Sequence, residues 1–299
     1  MITVIGSINM DYTTVTENLP RKGETILSTY FNTAPGGKGA NQAVAASKLG
    51  GKVQMIGALG KDMAGDTLYK RLEDEGLLLD GMRFVDIPTG NAMITVDSKG
   101  SNTIVVYSGA NKCLDANYLK EKKDLIIKSK IMILQLETPV ETVVYAAKMA
   151  KENNILCILN PAPARKLPEE IYGYLDYITP NETELFTLTG EEDPEVGAQK
   201  LLELGVKRVI VTMGEKGCLY KDDKESFFVD AFSVKPVDTT AAGDSFNGAL
   251  AVALSEGKSI KEALIFANAE GALSTLSIGA QDALPSREKV DKFIKLNSK

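Results

Sequence analysis

The chain has 299 residues and no histidine or tryptophan. The missing histidine excludes Ser-His-Asp and Cys-His nucleophile sites, and His-ligated zinc with them. A general base must therefore be Asp, Glu, Lys, Tyr or Cys, which moves weight onto the carboxylates. Cysteine is scarce. Cys113, Cys157 and Cys218 are odd in number and far apart, as expected for reduced core thiols and not for a disulfide framework or a metal site. No apolar run approaches the roughly 20 residues of a membrane helix. The opening Met-Ile-Thr-Val-Ile-Gly lacks a basic leader and reads as a first strand, so a cytoplasmic setting is expected and the sequon at Asn181-Glu-Thr183 carries no weight. With 34 basic and 40 acidic residues the net charge is −6. There is no long basic run either, so nucleic acid and anionic membrane are poor partners. A complete Walker motif is missing as well. Gly37-Lys38 is followed by Gly39, and Gly257-Lys258-Ser259 has Val252 where the first glycine would stand.

With 44% apolar and 25% charged residues, the chain can form one large domain or a domain with an appendage. Short β-branched runs at 2–6, 53–60, 130–137, 155–160, 176–179 and 209–214 alternate with helical patterns. That spacing predicts a doubly wound, mostly parallel α/β sheet flanked by helices. Each run ends in polar or small residues, where ligands gather in such sheets. Asn9 and Asp11 follow the first run, Glu137 the third, Asn160 the fourth, and the Gly214–Gly217 loop the last. An Asx turn explains the first pair equally well, and a cap on the helix at 139–153 explains Glu137 equally well.

Two segments leave this rhythm. Residues 12–34 are β-prone and polar, and 88–108 contain two β runs around Asp97-Ser-Lys-Gly100, a hairpin signal. The alternation leaves one apolar face needing cover, which favours a lid or dimer contact over an edge hairpin on the main sheet.

Two glycine-rich stretches remain. Pro35-Gly-Gly-Lys-Gly-Ala-Asn-Gln-Ala43 runs into a helix. A β-prone segment ending in Val237 leads to Asp238-Thr-Thr-Ala-Ala-Gly-Asp-Ser-Phe-Asn-Gly248 and a buried helix over Phe246–Leu254. The small residues Ala241, Ala242 and Gly243 let a ligand approach backbone N–H groups at a helix start, an arrangement that holds anions. Asp244 at that mouth reads either as an N-terminal cap or as a base for phosphoryl transfer.

Gly6-Ser-Ile-Asn-Met-Asp11, the PGGKGANQA stretch and DTTAAGDSFNGAL together resemble the ribokinase (PfkB) family of sugar kinases, in order and spacing from Ile2 to about Pro285. The resemblance implies a ribokinase-like fold with a small β lid made of residues 12–34 and 88–108. The main domain would comprise 1–11, 35–87 and 109–299, with the lid as a homodimer contact. It implies phosphoryl transfer from ATP to a primary hydroxyl of a furanose, D-ribose giving ribose 5-phosphate. Asp244 would be the base, with the N–H groups of Ala241, Ala242, Gly243 and Asp244 holding the transferred group. Asn9, Asp11, Gly37, Lys38, Gly39, Asn41 and Glu137 would bind the sugar. Asn181, Thr212, Gly214, Gly217, Gly243 and Asn268 would bind ATP. Glu184, in the family's NxxE signature, would organise Mg²⁺ and phosphate. K⁺ would sit at Asp238, Thr240, Ser274, Ser277, Gly279 and Ala283. Ala283 lacks the side-chain oxygen frequent there, Ser277 replaces a larger residue, and Asn268 stands where some relatives have histidine. A lone cation, Lys38, disfavours a sugar phosphate such as fructose 6-phosphate, and the scarcity of aromatics disfavours adenosine. Deoxyribose, or silent sugar binding on the same fold, are the other readings.

Overall fold

A computed structural model describes residues 1–297. The strands are β1 (Ile2–Ile5), β2 (Asn9–Val15), β3 (Tyr30–Gly36), β4 (Val53–Gly60), β5 (Leu78–Val85), β6 (Gly90–Val96), β7 (Asn102–Tyr107), β8 (Ile131–Leu134), β9 (Leu156–Leu159), β10 (Tyr177–Ile178), β11 (Val209–Thr212), β12 (Cys218–Lys221) and β13 (Ser226–Val229). The helices are α1 (Lys38–Lys48), α2 (Met63–Asp74), α3 (Ala116–Glu121), α4 (Lys123–Ile126), α5 (Val140–Glu152), α6 (Glu182–Thr189), α7 (Pro194–Glu203), α8 (Ala242–Ser255), α9 (Ile260–Ser274) and α10 (Arg287–Asn297).

Nine strands form the main sheet in the order β13-β12-β11-β10-β9-β8-β1-β4-β5; all run parallel except β12, which pairs antiparallel with both β11 and β13. The alternation along the strands explains its two helical layers. Ile2, Val4, Ile131 and Ile133 join a core with residues of α1, α8 and α9. Ile5, Met132 and Leu134 point the other way, into a core with residues of α5 and α7. A strand buried on both faces needs no polar side, so these strands read as unbroken apolar runs. The expected doubly wound fold is the one observed. The antiparallel edge was not among the runs read from the sequence: β13 is mostly open to solvent and begins with Ser226, so it leaves no unbroken apolar run.

Strand order reverses between β1 and β8. From β1 the chain moves outward to β4 and β5, then returns to β8 and proceeds the other way. Loops leaving neighbouring strands in opposite directions open a crevice at their carboxyl ends. Here that crevice lies at Ser7 and Glu137, and every element of the site converges on it.

The second sheet has the order β3-β2-β6-β7. It contains the two segments that broke the βα rhythm, but β2 begins at Asn9 and β3 runs to Gly36. Asn9 and Asp11 therefore stand on the root of the small sheet, earlier than the boundary at 12 that composition suggested. Its outer strand β7 is exposed throughout, with Ile104, Val105, Val106 and Tyr107 open to solvent beside Met93.

The stretch before the second glycine-rich loop differs from expectation. Residues 231–237 form no strand. Instead the N–H groups of Val237 and Asp238 both donate to the Thr275 carbonyl, which ties the loop to the end of α9.

Candidate active site

Glycine brings α1 to the crevice. Gly37 caps the helix at φ +89°, and a Cβ there would lie 2.7 Å from the Asn9 nitrogen. A Cβ on Gly39 would lie 2.6 Å from the Ser7 nitrogen. Only glycine lets the helix start press against the turn between β1 and β2. The unpaired N–H groups of that first turn then find acceptors. Lys38 N–H donates to Glu137 Oε2 (3.1 Å), Gly39 N–H to Ser7 Oγ (3.3 Å), and Ala40 N–H to the Ser7 carbonyl (2.9 Å). Ser7 Oγ also donates to Glu137 Oε2 at 2.5 Å. Glu137 thus supports α1 and leaves Oε1 without a partner among the described residues.

The second glycine-rich stretch starts α8 at Ala242, four residues before the expected helix, so Asp244 lies in its first turn. Ala241 precedes it in the left-handed region at φ +60°, a conformation that L-residues adopt at a cost of about 1–2 kcal/mol. The N–H of Ala242 closes a turn on the Thr239 carbonyl at 3.2 Å. Among the described residues, the N–H groups of Ala241, Gly243 and Asp244 have no acceptor, which leaves a cradle of donors at a positive helix end.

Asp244 is 5% exposed. Its Oδ2 accepts from Asn41 Nδ2 (3.0 Å) and its Oδ1 from Gln42 Nε2 (2.9 Å). Burial pushes its pKa up, while Lys38 and the two amides hold it down. Lys38 in turn is held above the usual lysine range by Asp244 first, with Glu137 and Glu184 adding, against burial. Asp11 is pushed up to about 7 by burial, then by the charges of Glu137 and Asp244. Three carboxylates and one lysine thus share the crevice. Asn9 is oriented by Asn111, whose Nδ2 donates to Asn9 Oδ1 at 2.8 Å. A cavity of about 520 Å³ opens beside Asn9 and Glu137, lined also by Asn111 and Arg165.

At the far end of the rim, Asn181 and Glu184 form a capping box on α6. Asn181 Oδ1 accepts from Glu184 N–H (2.8 Å), and Glu184 Oε2 accepts from Asn181 N–H (2.9 Å). Glu184 is buried, not an exposed first-turn carboxylate. Burial raises its pKa and the charge of Asp244 adds, against the Asn181 N–H and Lys38. It therefore faces the same charges as the crevice. Thr212 bridges to Asn181, and Gly214 and Gly217 take positive φ. A Cβ on Gly217 would lie 2.1 Å from the Val229 carbonyl. Asn268 has a structural duty here, since its Nδ2 donates to the carbonyls of Val229 and Asp230 (3.1 Å each).

Of the residues matched to a K⁺ site, Asp238, Thr240 and Gly279 come together. Asp238 accepts from the Thr240 N–H (2.9 Å) and hydroxyl (2.6 Å) and from the Gly279 N–H (2.9 Å). Those bonds outweigh burial and hold its pKa low. Ser274 is buried and bonded to Ser245, Ala283 is buried, and Ser277 is exposed. The donors offered are all oxygens, the chemistry that suits a hard cation.

Residues 1–287 match the profile of the pfkB family carbohydrate kinases. The chain belongs to this family. Among its members, a ribokinase from Bacillus subtilis is 41% identical over 293 residues, covering 98% of this chain and 99% of that protein. The crystal structure of ribokinase from Thermotoga maritima is 44% identical, with a TM-score of 0.93 over 98% of this chain and 99% of that one. The structure of Arabidopsis thaliana ribokinase with ribose and ATP is 36% identical, with a TM-score of 0.94 over 98% of both chains. As a pfkB carbohydrate kinase, the chain is an enzyme that phosphorylates sugars, and the resemblance read from its three motifs holds over nearly its full length. Among the described residues, no helix is long and apolar enough to cross a membrane.

Residue-by-residue reading overlooked Ser7, Gln42 and Asn111, which bond site residues directly, and Gln135, which bonds Gln42. Gln42 was the one with a usable signal. It adjoins Asn41 inside a helix whose other residues there are small and apolar, so its amide needed a buried partner.

Proposed function

We propose that the protein transfers the γ-phosphoryl group of ATP to the 5-hydroxyl of D-ribose, giving ribose 5-phosphate and ADP. The observation that carries this reading is the Asp244 carboxylate. It lies in the first turn of α8, bonded to Asn41 and Gln42, beside unpaired N–H groups and in the same crevice as Asp11 and Lys38.

In the reaction the O–H bond of the sugar hydroxyl breaks and its proton passes to Asp244. The hydroxyl oxygen bonds to the γ-phosphorus as the bond to the bridging oxygen of ATP breaks. A raised pKa makes Asp244 a stronger base than an ordinary carboxylate, and Lys38 with the two amides favours its ionised form against burial. The N–H groups of Ala241, Gly243 and Asp244, with Ala242 if its turn opens, would take the charge of the moving phosphoryl group. Asn9, Asp11, Gly37, Lys38, Gly39, Asn41 and Glu137 would hold the sugar, whose several uncharged hydroxyls suit carboxylates and amides. ATP would lie along Asn181, Thr212, Gly214, Gly217 and Asn268. Mg²⁺, neutralising phosphate charge, would be organised by Glu184. K⁺ at the Asp238 loop, with Thr240, Ser274, Ser277, Gly279 and Ala283, would steady the cradle. The exposed apolar strand β7 suits a homodimer contact, and a cytoplasmic enzyme fits the reduced thiols.

Release of ADP, followed by a coupled assay with ribose, deoxyribose, fructose 6-phosphate and adenosine, tests the substrate. Ribose should give the highest kcat/KM. Turnover with none of the four would leave silent sugar binding in its place. Equal rates in K⁺ and Na⁺ would count against the cation.

A further inference from the structure

Asn41 and Gln42 both grip Asp244, but Gln42 reaches much further. It is fully buried, and both of its amide hydrogens are used. Gln42 Nε2 donates to Asp244 Oδ1 at 2.9 Å and to Asn160 Oδ1 at 3.1 Å. Its Oε1 accepts from Gln135 Nε2 at 2.6 Å. Flipping the amide would set an oxygen against two acceptors and an NH₂ against an NH₂, so the orientation is determined by the network. Asn160 Nδ2 donates onward to the Thr179 carbonyl (3.2 Å), which fixes the orientation of that amide too. The Thr179 hydroxyl donates to Asn247 Oδ1 (2.7 Å), and Asn247 Nδ2 donates to the Gly243 carbonyl (2.8 Å). Gly243 adjoins Asp244. The bonds therefore form a closed circuit through α1, the ends of β9 and β10, and α8.

We propose that Gln42 and Asn160 are positioning residues of the kinase, which through this circuit hold Asp244 and the Gly243 end of the phosphoryl cradle in one rigid unit. The inference rests on Asp244 being the base. With one carboxylate oxygen bonded by Gln42 and the other by Asn41, the carboxylate plane cannot rotate. Buried amides polarise one another and lose more than a single bond when one member is removed. A network that only filled the core would show itself in stability. One that positions a base also shows itself in the protonation of that base.

The test is the single-turnover rate of phosphoryl transfer against pH, with saturating ribose and ATP. The charged groups facing Asp244 are Lys38 of α1, Asp11 of β2, Glu137 beyond β8 and Glu184 of α6. All of them persist in the variants, so a change in profile isolates the circuit. Gln42→Met keeps the volume and removes the donor. It should slow transfer at pH 7 roughly tenfold or more, move the acidic limb up by about one pH unit, and recover part of the rate at higher pH, with the KM for ribose little changed. Thr179→Val opens the circuit at one hydroxyl and should slow transfer several-fold with the protein folded. If Gln42→Met does not fold, Thr179→Val decides. A folded variant with the wild-type rate and limb overturns the proposal. Asp244→Asn serves as the separate control. Full activity there would remove the base itself, whereas an inactive Asp244→Asn beside unperturbed circuit variants removes only the circuit.

Discussion

Two carboxylates are buried on the packed helices α8 and α9, and their surroundings are opposite. Asp244 has an amide on each oxygen and a lysine charge facing it. Glu270 is fully buried, and among the described residues neither of its oxygens has a hydrogen-bond partner. The charge of Lys48 acts against that burial, but its ammonium is occupied by the Gln281 carbonyl at 3.0 Å and by Glu75 at 3.8 Å. Burial pushes the Glu270 carboxyl up to about 9. A carboxyl with that pKa holds its proton at pH 7 and sits in the core as a neutral, unpartnered polar group. The same desolvation acts on Asp244, but there donors were built to meet the charge. Burial alone does not set the two carboxylates apart; the donors around each do.

The contrast is broken most directly at Asp244. Asp244→Asn preserves the shape and removes the proton acceptor. We expect kcat to fall by about 10²–10⁴, while calorimetric titration still shows ribose binding. A retained kcat would make Asp244 as passive as Glu270. Glu270→Gln is the opposite test, seen in stability. The folded pKa of Glu270 lies above its unfolded value of 4.5, so its stabilising contribution is complete below pH 4.5 and is lost as pH rises towards 9. At pH 7.5 that loss reaches up to about 4 kcal/mol, less whatever the new amide loses for want of partners. The variant should flatten the fall of unfolding free energy between pH 5 and 9 and leave kcat within about twofold of wild type. An unchanged slope would mean that Glu270 is ionised and partnered.

How far the sequence disclosed this site depended on the range of the contacts. The parallel sheet was visible because strands buried on both faces leave apolar runs, and the cradle was visible because Ala241–Gly243 are small. Asp244 could not be separated from a helix cap by local pattern alone. Its distinguishing partners, Asn41 and Gln42, are about two hundred positions away, and such pairings leave no periodicity. Glu137 was open to misreading for the same reason. It precedes α5 in the chain, yet it serves the first turn of α1. The root of the small sheet was placed too late, because Asn9 and Asp11 have polar side chains in a strand whose pairing with β6 is distant in sequence.

Asp11 lies between the two extremes, pushed up to about 7 by burial and by its acidic neighbours. Sugar hydroxyls donate best to an ionised carboxylate. Ribose binding should therefore tighten as pH rises from 6 to 8, by up to about tenfold, with release of a proton. Calorimetry in buffers of different ionisation enthalpy measures that proton directly. Asp11→Asn should bind more weakly at every pH and release none. Proton uptake in the wild type would show that the neutral acid is the binding form, which would place Asp11 on the side of Glu270.

The smallest effect belongs to Ala241, which carries the comparison to the backbone. Its methyl group makes no polar contact, so any change there reports the turn that holds the donors. The left-handed φ of +60° costs an alanine about 1–2 kcal/mol and a glycine almost nothing. Ala241→Gly should therefore raise folding stability by ~1 kcal/mol, offset in part by the greater freedom of glycine in the unfolded chain. The same freedom loosens the cradle beside Asp244, so kcat should fall a few-fold while the KM for ribose holds. Thermal unfolding and steady-state kinetics on one preparation separate the two effects. Lower stability in the glycine variant would mean that the strain at Ala241 is smaller than the backbone entropy that glycine adds to the unfolded chain.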